Sequence, residues 1–143
     1  MIFAGVNYFA VLIAAFAAWG FGALWYNVLS KPWLVALGKS PEQFQDDMKM
    51  RRGTPAFYTP FVLAFVAQLI MAWVLAGLMA HMGPITIRSG LISAGFVWFG
   101  FVLTTIAVNY AFSGRKPMLT LIDAGHWLGV LLIMGAVIGA FAS

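Results

Sequence analysis

No cysteine occurs anywhere in the 143 residues, so disulfides, thiolate metal sites and cysteine nucleophiles are excluded. Charge is nearly as scarce. Only 8% of residues are Asp, Glu, Lys or Arg, against about 25% in a soluble domain, too few to coat a water-facing surface. Acidic side chains are the rarest class, four in all, and three of them crowd together at Glu42, Asp46 and Asp47. The fourth, Asp123, stands alone in an apolar run. What fills the chain instead is hydrophobic: 63% of all residues are apolar and 16% of all residues are aromatic, with a mean hydropathy of +0.95. The net charge of +4 comes from eight Lys and Arg between apolar runs, a placement that suits membrane topology, and no nucleic-acid partner is expected.

The uncharged gaps define the fold. Residues 1–30 precede the first charge, Lys31. Arg52 and Arg88 bracket a second run, Arg88 and Arg115 a third. The fourth, Pro117 to Ser143, is interrupted only by Asp123 and His126. Each exceeds the ~20 residues needed to cross ~30 Å of hydrocarbon, and none alternates as a barrel strand would. The expected fold is an all-α integral membrane protein, one domain over 1–143. It has four transmembrane helices near 3–28, 59–80, 88–112 and 118–141. Ala15-Phe16-Ala17 has the spacing of a signal cleavage site. No Lys or Arg precedes it, however, and the apolar stretch runs on to Tyr26, so the segment is expected to stay as a span.

Thr59-Pro60 suits the first turn of the second helix, His81-Met82-Gly83-Pro84 a tight turn, and Ser113-Gly114 the end of the third. Seven positive residues fall in the first and third connections and Arg88 alone on the other side. The positive-inside rule therefore makes loops 29–57 and 113–117 cytoplasmic and puts both termini outside. Within the first loop, Ser40-Pro41-Glu42-Gln43 reads as a capping box opening a short amphipathic helix over about 41–52. Phe44 and Met48 form its apolar face and Asp47 sits four residues before Arg51. Such a helix suits the membrane surface, anionic lipid or a membrane-protein partner, with Trp33 as an interfacial anchor.

Polar groups inside the spans need a reason, because an ionisable side chain in lipid costs about 2.5–3.5 kcal/mol even on the lenient scale. Asp123 lies about 7 Å and His126 about 12 Å from the basic end of the fourth helix. Tyr26, Asn27 and Asn109 fall at similar depth and Gln68 nearer the midplane, so one hydrogen-bonded cluster is expected. Asp123 and His126 share a helix face. Gly125, Gly129, Gly135 and Gly139 have small-residue spacing on another, and Ala10, Ala14, Ala18 and Gly22 form a similar stripe on the first helix. Two faces that each want protein suggest a homo-oligomer. For the Asp/His pair three readings stand open: a satisfied structural pair, a proton or solute-coupling site, or a metal ligand set. The last is the weakest, because His81, the only other histidine, lies at the opposite face. No cofactor is expected.

The chain also resembles a known family, the domain of unknown function (DUF) 1761 group of small bacterial membrane proteins. The matching residues are Asn7 opening the first span, Gly22-Ala-Leu-Trp25-Tyr26, Lys31-Pro32-Trp33, Asn109-Tyr110-Ala-Phe112 and Leu121-Ile122-Asp123. Between Tyr26 and Lys31 it has Asn-Val-Leu-Ser where the family more usually has a proline and a Phe-Gly step. The resemblance implies a multipass protein of the bacterial cytoplasmic (inner) membrane and carries no activity. Two functions remain open: passage or coupling of a small solute, ion or proton through the Asp/His site, or a structural module that binds a partner through its glycine faces and loop helix. Catalysis is disfavoured, since Gly-x-Ser-x-Gly, His-Glu-x-x-His and paired carboxylates are all missing.

Overall fold

In the computed structural model, residues 5–142 are described, and four of their helices are long and apolar enough to cross a membrane. The first span, α1 (Tyr8–Val28), opens at Asn7, whose side-chain oxygen accepts the Ala10 N–H at 3.1 Å. It begins later than the expected residue 3. Residues 3 and 4 lie outside the described part, and 5–7 are not helical, with Gly5 at φ 84°.

The chain breaks at Leu29 and resumes as α2 (Ser30–Leu37), which ends at Gly38 in the left-handed region. Sequence reading left this stretch as loop. Pro32 has no N–H to offer the Val28 carbonyl, which ends α1, yet it is harmless in the first turn of a new helix. Next comes α3 (Pro41–Arg51), with the expected capping box in place. Ser40 N–H donates to Gln43 Oε1 at 3.0 Å and Gln43 N–H to Ser40 Oγ at 3.1 Å. Arg52 is its cap and Gly53 turns the chain at φ 81°. Asp47 pairs with Lys39 at 3.3 Å, an exposed bridge worth roughly 0.2–1 kcal/mol. Phe44 packs edge-on against Trp33, centroids 5.8 Å apart, which ties α3 to α2.

The second span, α4 (Pro55–Met82), starts four residues earlier than expected because Pro55, not Pro60, takes the first turn. Pro60 then lies inside the helix. Thr59 Oγ1 binds the Pro55 carbonyl at 2.7 Å nearby. The third span runs unbroken over Ile87–Phe112 but changes pitch. It comprises α5 (Ile87–Val97), a π segment at Trp98–Leu103 and α6 (Thr104–Phe112). The fourth span is α7 (Pro117–Ala142).

The fourth span is the central one. It touches α1, α2, α4, α5 and α6, and 44% of its most apolar window is buried, against 11% for the third span. Its glycines explain how. A Cβ on Gly135 would run into the backbone of Gly90 on α5, and one on Gly139 into the backbone at Thr86 and Ile87. Gly125 and Gly129 receive Trp25 and Phe21 of α1. Ala10, Ala14 and Ala18 are fully buried in the same packing. Both small-residue faces are thus occupied within one chain. Two indoles clamp α7 further: Trp25 donates to the Ile122 carbonyl at 3.0 Å and Trp98 to that of Ala124 at 2.7 Å. Large apolar side chains such as Phe96, Phe99, Phe101 and Phe112 point outward, as lipid-facing surface requires.

Candidate functional site: a cavity around Asp123

Toward the end bearing the Lys31–Arg52 and Arg115–Lys116 connections, here called the basic face, the bundle opens. Helices α4 and α6 make no contact among the described residues, whereas α4 meets α5 beyond them. Between the basic halves of these spans lies a cavity of about 820 Å³, within the ~300–1,000 Å³ range of small-molecule sites. Its walls come from α1 (Trp19, Gly22, Tyr26), α4 (Phe61, Ala64, Gln68) and α7 (Asp123, His126, Trp127), with Trp33, Tyr110 and Arg115 toward the basic face.

Asp123 is held by two phenols. Tyr26 donates to Oδ1 at 2.6 Å and Tyr110 to Oδ2 at 2.5 Å. No cation touches it: the one ion pair among the described residues is Lys39–Asp47. His126 shares the face but is not bonded to the carboxylate. Its ring stacks parallel to Phe21 at 6.2 Å, meets Tyr26 at 5.0 Å and Trp127 at 4.7 Å, and rests on Gly22. A Cβ on Gly22 would come within 2.7 Å of Nε2, so the glycine makes room for the imidazole. His126 is 5% exposed, and its Nδ1 has no hydrogen-bond partner. Gln68, 2% exposed on α4, likewise leaves Oε1 unpartnered. A buried polar group without a partner costs roughly 1–3 kcal/mol, and both residues sit at the inner end of the cavity.

Of the six residues expected to cluster, the structure brings Asp123, His126, Tyr26 and Gln68 to this cavity. Asn27 and Asn109 are exposed and lie outside its lining. Tyr110 was missed. Counted at about 100° per residue, a straight helix puts it roughly 200° round from Gly90, away from α7. The π segment holds more residues per turn and takes back roughly 100°, which brings the phenol onto the flank that meets Asp123. Arg115 was read only as a topology signal, and Trp33 only as an anchor.

The cavity does not continue through the bundle. Beyond Gln68 and His126 the core is filled by apolar side chains, among them Ala14, Ala72, Leu75, Val130 and Met134, each at most 2% exposed. The arrangement can therefore bind from one side, with a single carboxylate and an aromatic wall. No curated protein and no solved structure matches the chain. Residues 9–139 match the family model described as a protein of unknown function, DUF1761, and the chain belongs to that family.

Proposed function

We propose that this protein is a membrane-embedded binding site for a small amphipathic molecule, reached from the basic face, and that the basic face is cytoplasmic. The observation that carries the reading is the ~820 Å³ cavity with Asp123, His126 and Gln68 on its wall, closed beyond by the apolar core. The seven-to-one bias of Lys and Arg supports the orientation, with both termini outside. A cavity closed at one end argues for a binding or carrier role over a static pore. One protomer supplies the whole site, so a homo-oligomer is not needed to complete it. The basic residues of α2, α3 and the Arg115–Lys116 turn suit anionic headgroups beside the opening.

Native mass spectrometry of protein extracted gently from its own membrane tests this reading. The wild type is expected to carry a small-molecule adduct that is lost in Ala64→Trp, where the indole fills the cavity. An adduct retained unchanged in a folded Ala64→Trp protein removes the proposal.

A further inference from the structure

The chemistry of the cavity wall names a class of occupant. Asp123 is the only formal charge within the span-depth part of the cavity, about 9 Å inward from Pro117, and both its hydrogen-bond partners are neutral phenols. An intramembrane carboxylate calls for a partner, and this chain offers no cation there. Arg115, the one basic side chain on the lining, sits exposed at the basic face, where water and salt screen it. Gln68 lies on the same wall, with its Oε1 buried and without a hydrogen-bond partner. The Tyr26 and Tyr110 hydroxyls are committed to Asp123. Trp19, Trp33, Trp127, Tyr26 and Phe61 surround the remaining volume, and aromatic faces attract positive charge.

We infer that the cavity takes a small organic cation with an apolar or aromatic body, for which Asp123 is the counter-ion and the aromatic wall the seat. The inference rests on the cavity being a binding site, and it adds the sign of the charge. The lone carboxylate, which repels an anion, and the aromatic faces favour a protonated or quaternary amine-like group over a carboxylate or phosphate. The volume suits an organic body better than a bare metal ion.

Two probes of matching size and shape separate the possibilities. Tetraphenylphosphonium and tetraphenylborate differ chiefly in the sign of their charge. Binding of each is measured by equilibrium dialysis to the full-length protein in phosphatidylcholine nanodiscs, with empty discs subtracted. Saturable binding of the phosphonium is expected. It should weaken at least tenfold in Asp123→Asn and vanish in Ala64→Trp, while the borate shows none. The comparison on wild-type protein needs no variant, so misfolding of Asp123→Asn does not blunt it. Saturable borate binding equal to or tighter than the phosphonium, abolished by Ala64→Trp, overturns the cation while leaving the binding site intact. Phosphonium binding that a folded Asp123→Asn protein retains in full also overturns the counter-ion role. No saturable binding of either probe overturns both this inference and the reading beneath it.

Discussion

Gly90→Ala and Gly95→Ala place the same methyl group on the same helix, α5, five residues apart, and the structure assigns them opposite signs. At Gly95 nothing lies within 4 Å of an added Cβ. The substitution should be neutral or stabilise by up to ~1 kcal/mol, the helix-propensity difference between glycine and alanine. At Gly90 the new Cβ meets the carbonyl of Gly135 on α7 and stands 3.0 Å from Met79 Cε. Met79 can move aside, but the Gly135 obstacle is backbone, so α5 and α7 must separate along their whole contact. Overpacking costs typically ~1–3 kcal/mol, and a backbone obstacle belongs at the upper end. The two variants should therefore differ by about 2–4 kcal/mol. Reversible unfolding in mixed micelles titrated with sodium dodecyl sulfate, followed by tryptophan fluorescence, measures the gap. Equal stability of the two variants would refute the close α5–α7 crossing.

Removing either phenolic donor, Tyr26→Phe or Tyr110→Phe, should lower stability by roughly 0.6–2 kcal/mol, the range for hydrogen bonds between membrane helices. In the same unfolding assay, neither should matter once Asp123→Leu has removed the acceptor, and an undiminished loss in that background would count against the Asp123 geometry. Gly22→Ala should destabilise because His126 Nε2 stands where the methyl goes. Combining it with His126→Ala should recover part of the loss, and a strictly additive double variant contradicts the contact. Trp98→Phe should cost roughly 0.6–1.7 kcal/mol through the lost bond to the Ala124 carbonyl, and an unchanged midpoint speaks against that clamp.

Much of the architecture was legible because lipid imposes a length rule on uncharged sequence. Runs bounded by Lys31, Arg52, Arg88 and Arg115 were long enough to span, and each holds a helix long and apolar enough to do so. The capping box at Ser40 was equally readable, since its geometry is local. Three features were not. The short helix α2 is only eight residues long, too brief for periodicity to show against Pro32. The π segment leaves no local sequence mark, yet it decides which face of α6 meets α7, and so Tyr110 could not be anticipated. The glycine faces were visible as spacing, but spacing does not say whose helix fills them, and here Phe21, Trp25 and Gly90 of the same chain do. Asp123 was legible as a lone carboxylate, and of its two partners Tyr26 was expected while Tyr110 was not. Direction decided the rest: Asn27 and Asn109 stand one residue from the two tyrosines, about 100° round each helix, and are exposed.

The natural absence of cysteine makes a direct test of the cavity possible with single-cysteine variants. Ala64→Cys lies on its wall and Ala72→Cys in the fully buried core about two turns beyond. Gln45→Cys on α3 reports which side of the vesicle the basic face occupies. A small membrane-impermeant thiol reagent added on that side is expected to modify Ala64→Cys and leave Ala72→Cys untouched. Failure to label Ala64→Cys from that side, or labelling of it only from the other, contradicts a cavity around Asp123 that opens at the basic face.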